Sequence, residues 1–210
     1  MKTTNAMERT QKWNGAGSSG FGAEVERPAA AESSAGDGRL IRRHVTPGGI
    51  CVLTFDRRNS SANIFDRRTM LELDGQLEFV SMTPRLLGLV LTSAKPGIFV
   101  AGADLNALAE AIDHSREGST ARLSEMLELG QRIFNRLAAL SLPKVAAIHG
   151  ACAGGGYELS LACDWRMATG DRATRIGLPE TRLGILPAWG GSTRLPRVIG
   201  LPDALKVILD

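Results

Sequence analysis

Cysteine is scarce in this sequence, and its placement argues against disulfide bonds and metal sites. The chain has Cys51, Cys152 and Cys163, an odd number without C-x-x-C spacing, each in an apolar setting. A disulfide framework uses an even set of cysteines, and zinc sites use closely spaced ligands. We therefore predict buried, reduced thiols in a cytosolic protein, and no metal site.

Histidine is equally scarce. The three histidines are far apart in the sequence and form no H-E-x-x-H motif, which excludes the commonest helical zinc-protease signature. His149 ends a segment that we predict to be a buried strand. We expect it to be a core or supporting residue and not a catalytic base.

Long hydrophobic runs are also missing, so we predict no membrane span, which would need about 20 apolar residues. Residues 1–38 are rich in Gly, Ala, Ser and charge, and they lack the apolar core of a signal peptide. We predict that residues 1–38 form a disordered tail and that residues 39–210 form one folded domain. The G-x-G-x-x-G match from Gly15 to Gly20 has no strand before it and no helix after it, so we interpret it as chance.

The charge of the chain is modest and spread out. The formal net charge is +3, the pI is about 9.0, and arginines scattered along the sequence account for most of the positive charge. A surface of this kind is compatible with small anionic partners, whereas a nucleic-acid partner would need a clustered basic patch. We therefore predict no nucleic-acid partner.

Apolar periodicity in residues 39–210 alternates between strands and helices, which indicates an α/β fold with largely parallel pairing. Thr46-Pro47-Gly48-Gly49 separates two strands, 40–45 and 50–55, and predicts a hairpin. Asp66 is placed to cap a helix with apolar residues at Met70, Leu73, Leu77 and Val80. The other predicted elements are strands over 87–91 and 98–101, helices over 104–111 and about 119–140, and a strand from Lys144.

The stretch from Lys144 to Arg197 carries the strongest signal. An uncharged apolar run over 145–148 predicts a buried strand, three glycines follow at 154–156, and a helical pattern continues through Leu159. Glycines at this position let a ligand approach bare backbone, and the first N–H groups of a helix have no partner inside it. We therefore predict a site that stabilises an oxygen as it becomes negative.

Two backbone N–H donors and two carboxylates are candidates for that site. Ala103 and Gly155 each stand beside glycine after an apolar strand. Donors of this kind aimed at one oxygen would polarise an acyl carbonyl and stabilise its enolate. Glu158 lies in the first turn of the predicted helix, and Glu180 follows Pro179. Taken singly, Glu158 also fits a solvated first-turn glutamate favoured by the helix dipole, and Glu180 fits a loop carboxylate.

Four segments resemble, in the same order, the motifs of the enoyl-CoA hydratase (crotonase) family. They are FVAGADL at 99–105, HGACAGGGYEL at 149–159, GLPETRLGILP at 177–187 and GGSTRLPR at 190–197. The resemblance covers about residues 39–210. Asn59-Ser60-Ser61-Ala62-Asn63-Ile64-Phe65-Asp66 further resembles the hydratase domain of multifunctional fatty-acid oxidation α-subunits.

This resemblance implies a spiral of repeated ββα units, truncated before the family's C-terminal helices. It implies a cytoplasmic enzyme that adds water to enoyl-CoA thioesters, with coenzyme A as part of the substrate and no separate cofactor. Glu158 would activate the water, Glu180 would protonate Cα, and the amides of Ala103 and Gly155 would form the oxyanion hole. The expected partners are an acyl-CoA thioester and either further copies of the chain or a fatty-acid oxidation complex. The implied substrate-binding residues are Ala101, Gly102, Asp104, Leu105 and Gly154.

Two alternatives stay open at the level of sequence. The first is 3,2-enoyl-CoA isomerase activity, and the second is a non-catalytic remnant that binds acyl-CoA or a partner. We expect Asp104 to order a helix start rather than act as a third catalyst. Lys95 and Arg57 are placed to meet coenzyme A phosphates, but we favour exposed, solvated charges. Trp165 and Trp189 are expected either to pack or to shape the acyl pocket, and Arg194 to pair with a carboxylate.

Overall fold

The computed structural model describes residues 38–116, 118 and 120–209. Residues 1–37 of the predicted tail lie outside the described residues, so the prediction of disorder stays a prediction. Eight strands are described: β1 Ile41–Val45, β2 Ile50–Phe55, β3 Gly88–Ser93, β4 Ile98–Val100, β5 Lys144–Ile148, β6 Ala151–Ala153, β7 Trp165–Ala168 and β8 Arg175–Gly177. Six α-helices are described: α1 Arg67–Ser81, α2 Leu105–Arg116, α3 Ala121–Ala139, α4 Gly155–Leu161, α5 Gly191–Ile199 and α6 Leu201–Leu209. A short 3-10 helix spans Pro179–Leu183.

The strands form two sheets with mainly parallel pairing. The larger sheet has the order β1-β2-β3-β5-β7, in which only the β1–β2 hairpin is antiparallel. The smaller sheet has the order β4-β6-β8 and is parallel throughout. The predicted hairpin and the predicted α/β class with largely parallel pairing are confirmed.

The chain repeats one pattern as it moves along the sheets. A strand of the larger sheet is followed by a strand of the smaller sheet and then by a helix, as in β3-β4-α2 and β5-β6-α4. β7, β8 and the 3-10 helix form the next unit. This is a spiral of ββα units, and it brings the ends of β4, β6 and β8 side by side.

Helix α1 illustrates how local sequence sets an element. Asp66 accepts a hydrogen bond from the Thr69 backbone N–H at 2.7 Å, which satisfies one of the free donors of the first turn. Met70, Leu73, Leu77 and Val80 are buried on one face of the helix, as predicted. Burial of this apolar stripe stabilises the helix against the sheet.

The structure corrects the prediction for the stretch after β5. The sequence predicts the glycine turn directly after the buried strand, but β6 lies between them and pairs with β4 and β8. Strands β7 and β8 were not predicted, because they have only four and three residues and are largely exposed. Helix α4 has seven residues and ends at Leu161, so Ala162 and Cys163 pack in the core just beyond it.

The core between the sheets and helices is aromatic on the side nearest α3. The rings of Phe65 and Phe134 each contact Trp189 edge to face, with centroids 6.0 and 5.7 Å away. The three cysteines are buried, as predicted. In the described part of the chain, no helix combines the length and the apolar character that a membrane span requires.

Candidate active site

The end of β4 and the start of α4 lie against each other at two glycines. A Cβ atom on Gly102 would stand 3.0 Å from Ala153 O and 3.5 Å from Gly155 N, so only a bare backbone fits at this point. Gly102 also has φ +107°, a conformation that side chains disfavour. Gly102 therefore lets residues 101–104 pass directly beside the N-terminus of α4.

The backbone amides of Ala103 and Gly155 are held in defined directions. Phe65 N donates to Gly102 O at 2.8 Å, and Asp104 N donates to Phe65 O at 3.1 Å. These two bonds form a parallel β-bridge between Phe65 and Ala103, and both lie on one side of residues 102–104. The N–H of Ala103 therefore points to the other side, away from Phe65. Gly155 is the first residue of α4, where an N–H has no partner inside the helix.

Glu158 is buried in the first turn of α4, with 2% of its surface exposed. Its Oε1 accepts two hydrogen bonds, from Trp189 N and Gly191 N, each at 2.8 Å. The interpretation as a solvated first-turn glutamate is therefore wrong, since the loop before α5 covers this carboxyl.

Burial raises the pKa of Glu158 to about 7, because the charged form is poorly solvated. The Gly191 and Trp189 amides and the charge of Arg194 act in the opposite direction, whereas the nearby Glu180 carboxyl raises the pKa further. The result is a carboxyl that gains and loses a proton near neutral pH.

Glu180 is the second buried carboxyl, with 8% of its surface exposed. It stands in the first turn of the 3-10 helix, and Pro179 begins that helix. A Cβ on Gly154 would lie 3.1 Å from Glu180 Oε1, so this carboxyl rests against bare backbone. Its Oε2 is buried and has no hydrogen-bond partner among the described residues. Burial raises the pKa of Glu180 as well.

A cavity of about 170 Å³ joins these groups. Ala103, Gly155, Glu158 and Glu180 all line it. Of the predicted substrate-binding residues, four are also in its wall: Ala101, Gly102, Leu105 and Gly154. The rest of the wall is mainly apolar and comprises Leu108, Met126, Leu127, Pro179, Leu183, Ile185, Leu186, Ala188 and Trp189.

Asp104 is the one predicted site residue outside this wall. Its Oδ1 accepts hydrogen bonds from Asn106 N and Ala107 N, at 3.0 and 3.3 Å. These bonds order the start of α2, as expected for a capping residue. Asp104 therefore lies beside the wall of the cavity and not in it.

Several expectations for the surrounding charges are corrected. Lys95 and Arg57 are partly buried rather than exposed, and each contacts a carboxylate. Lys95 Nζ lies 3.4 Å from Asp56, and Arg57 Nη1 lies 2.6 Å from Asp66. Arg194 makes hydrogen bonds to Trp189 O and Asn135 Oδ1, and its charge acts on the Glu158 carboxyl.

The remaining expectations concern the tryptophans, His149 and metals. Trp189 lines the cavity, whereas Trp165 is 56% exposed on β7. His149 Nε2 contacts Lys95 O at 2.7 Å, which is a supporting role. Within the described ranges, no group of three or more His, Cys, Asp or Glu side chains is arranged to hold a metal ion.

Sequence reasoning missed the partners of Glu158. The Trp189 and Gly191 amides belong to a loop that is far from Glu158 in the chain, and backbone donors leave no side-chain signature. The glycine pair Gly190-Gly191 was a usable signal: a Cβ on Gly191 would lie 3.1 Å from Glu158 Oε1. Glycine is needed there so that the backbone can reach the carboxyl.

Comparison with known proteins gives a consistent result. A model of the enoyl-CoA hydratase/isomerase family matches residues 45–210. The fatty acid oxidation complex subunit alpha of Shewanella sp. (strain W3-18-1) is 42% identical over 161 residues, 77% of this chain and 22% of that protein. The corresponding subunit of Aliivibrio fischeri is also 42% identical, over 76% of this chain and 23% of that protein. The chain spans about a fifth of the length of these curated relatives.

Solved structures agree with this assignment. The enoyl-CoA hydratase from Bacillus anthracis matches with a TM-score of 0.70 and 31% identity, over 81% of this chain and 62% of that one. Pseudomonas aeruginosa DspI matches with a TM-score of 0.71 and 32% identity, over 85% of this chain and 68% of that one. The predicted crotonase-like fold and the predicted resemblance to fatty-acid oxidation α-subunits are confirmed. The chain belongs to the enoyl-CoA hydratase/isomerase family.

Proposed function

We propose that this chain hydrates 2-enoyl-CoA thioesters in fatty-acid β-oxidation, with Glu158 and Glu180 as its catalytic residues. The observation that carries the proposal is that both buried carboxyls line one cavity together with Ala103 and Gly155. The match to the hydratase/isomerase family and to fatty acid oxidation complex subunits supports the reaction and substrate class.

The thioester carbonyl would be held by the two backbone amides. In the addition of water to a conjugated double bond, negative charge develops on the thioester oxygen as an enolate. The N–H groups of Ala103 and Gly155 would donate to that oxygen, in a cavity with mainly apolar walls where such bonds are strong. Ala101, Gly102, Leu105 and Gly154 would line the bound thioester, with coenzyme A as part of the substrate and no separate cofactor.

The two carboxyls would divide the proton transfers between them. Ionised Glu158 would take a proton from water, and the resulting hydroxyl would bond to Cβ. Protonated Glu180 would give its proton to Cα as the enolate collapses, so that one water is added in all. Two nearby carboxyls in a water-poor cavity do not both ionise readily, and this supports one acid and one base at neutral pH.

The wider setting of the activity belongs to the same proposal. The named relatives are subunits of a complex, which supports a place in a fatty-acid oxidation complex or an assembly with further copies of the chain. A cytoplasmic location is proposed on the same grounds, from the resemblance to these relatives.

The direct test follows the ultraviolet absorbance of a 2-enoyl-CoA as it is hydrated. We expect Glu158→Gln and Glu180→Gln each to lower kcat by at least about a hundredfold, because each removes a proton-transfer group. Glu128→Gln is the matched control, since Glu128 is exposed on α3. It should behave as the wild type, and circular dichroism should show all four proteins folded.

The same proteins separate the alternatives. Isomerisation of 3-enoyl-CoA moves one proton between two carbons, and Glu180, which lines the cavity, would carry that proton. If Glu158→Gln spares isomerisation while Glu180→Gln abolishes it, Glu180 serves both reactions. A wild type that binds acyl-CoA but turns over neither substrate would contradict the proposal and establish the non-catalytic alternative.

A further inference from the structure

Residues 187–191, the loop before α5 together with the first residue of that helix, are here called the carboxylate loop. The loop directs backbone amides inward, toward Glu158, and backbone carbonyls outward, away from it. The Trp189 and Gly191 amides bind Glu158, as described above. Side chains bind three successive carbonyls: Ser192 Oγ donates to Pro187 O, Gln131 Nε2 to Ala188 O and Arg194 Nη1 to Trp189 O, at 2.9 to 3.0 Å.

Each amide that binds Glu158 shares its peptide group with a carbonyl that itself accepts a hydrogen bond. The N–H that Trp189 gives to Glu158 belongs to the same peptide group as Ala188 O, which Gln131 holds at 2.9 Å. The N–H of Gly191 belongs to the same peptide group as Gly190 O, which accepts from Arg194 N at 2.8 Å. A peptide bound at its oxygen is polarised and fixed in orientation, so each inward amide is set by an outward contact.

Arg194 spans the loop and helix α3. Its Nη1 binds Trp189 O, and its Nη2 binds Asn135 Oδ1 at 2.6 Å. The side chain passes over Gly190, where a Cβ would collide with the guanidinium, and Gly190 itself has φ +116°. Gln131 and Asn135 stand one turn apart on α3, so the loop is attached to that helix at two points.

The charge of Arg194 also acts on Glu158. The charged side chains that influence Glu158 are Glu180, from the 3-10 helix, and Arg194, from α5. Arg194 favours the ionised carboxylate and lowers the pKa of Glu158, against the larger effect of burial. Arg197, one turn further along α5, is exposed.

We propose that Arg194 and Gln131 are positioning residues that hold the carboxylate loop in the shape that fixes Glu158 for catalysis. The inference rests on the proposed function of Glu158 as the base. Arg194 has a second effect: its positive charge keeps more of Glu158 ionised near neutral pH.

The sign of the pH effect follows from the charge. Without the positive charge, the pKa of Glu158 rises and more of it is protonated near neutral pH. The acidic limb of the kcat profile, where the base gains its proton, should therefore move to higher pH in Arg194→Met. Arg194→Lys keeps the charge but loses the fork that joins Trp189 O to Asn135, so kcat should fall with the limb near its wild-type position.

Kinetics and a direct titration of Glu158 test these statements together. The full chain is labelled with carbon-13 at glutamate Cδ, and the Glu158 signal is assigned by its loss in Glu158→Gln. We expect Arg194→Met to raise both the NMR pKa and the acidic limb, by about half a pH unit or more. Arg197→Met removes a charge from the same helix and should leave both values unchanged.

Gln131→Met provides a second test at an exposed position on α3. It should lower kcat about tenfold at all pH values, because the loop loses one outward contact. Unchanged kcat in Gln131→Met, an unmoved Glu158 pKa in Arg194→Met, or an equal shift in Arg197→Met would overturn the inference. If the wild type hydrates no enoyl-CoA, the proposed function fails, while the NMR titration still decides whether Arg194 controls Glu158.

Discussion

Glu158 and Glu180 face the same cavity, but the protein holds their carboxyls differently. Glu158 Oε1 accepts hydrogen bonds from two backbone amides, whereas Glu180 Oε2 is buried without a hydrogen-bond partner among the described residues. The two amides keep the Glu158 carboxyl in one place and lower its pKa, against the larger effect of burial, which raises the pKa to about 7. A carboxyl with an unpartnered oxygen favours its protonated form, as an acid requires.

The surroundings of the two carboxyls differ in the same sense. The loop that binds Glu158 contains Trp189, which is 5% exposed and packs on Phe65 and Phe134. The 3-10 helix that carries Glu180 ends at Leu183, which is 56% exposed. One carboxyl is therefore supported by the aromatic core, and the other by a thinly covered segment at the edge of the cavity.

The largest expected effect comes from removing that aromatic support. Trp189→Ala should lower the free energy of unfolding by about 3–5 kcal/mol, because it leaves a void between two rings. Leu183→Ala, on the Glu180 side, should change it by no more than about 0.5 kcal/mol, since the side chain is exposed. Urea denaturation measures both, and equal losses in the two variants would remove the distinction between the two sides.

An intermediate effect is expected in the dependence of stability on pH. The pKa of Glu158 is raised from 4.5 to about 7 in the folded protein, so the folded state binds the proton more tightly than the unfolded state. Its stabilising contribution is complete below pH 4.5 and is lost as the pH rises through 7.

Glu158→Gln should cancel this trend. The difference in unfolding free energy between wild type and Glu158→Gln should change by about 3 kcal/mol between pH 4.5 and pH 8. Glu180→Gln should act in the same direction, and the exposed Glu128→Gln should show no trend. A wild-type protein that becomes more stable, relative to Glu158→Gln, as the pH rises over this window would contradict the raised pKa.

The smallest expected effect concerns Asp104, the acidic residue beside the cavity that does not line it. Asp104→Ala should lower the free energy of unfolding by about 1 kcal/mol, because α2 loses its cap. It should leave kcat within about twofold of the wild type. Asp104→Asn retains the capping geometry and should restore the stability, whereas a large loss of kcat in either variant would give Asp104 a part in the chemistry.

Most helices and four of the five strands of the larger sheet were predictable because their signals are local. The Asp66 cap and the apolar stripe from Met70 to Val80 fall within one helix. The apolar run in β5 identified a buried strand in the same way. Strands β6, β7 and β8 have three or four residues each and owe their pairing to neighbours that are distant in the chain. β4 is equally short but was predictable, because its three residues are all large and apolar.

Three charged residues illustrate the same limit. The sequence predicts exposed, solvated charges at Lys95 and Arg57, but the fold places Asp56 and Asp66 beside them. An ion pair depends on where two side chains meet, which hydropathy and spacing do not report. The hydrogen bond from Arg194 to the Trp189 carbonyl is a further example.

The sequence by itself determined the residue types that the chemistry needs: two glutamates, the glycines that expose backbone amides, and the α/β alternation around them. These depend on backbone conformation and hydrophobic periodicity, which are properties of short segments. Only the tertiary structure decided that the loop over residues 187–191 covers Glu158. It also decided that one oxygen of Glu180 is buried without a hydrogen-bond partner among the described residues. Burial and hydrogen bonding set the proton affinity of each carboxyl, and both arise only when distant segments pack together.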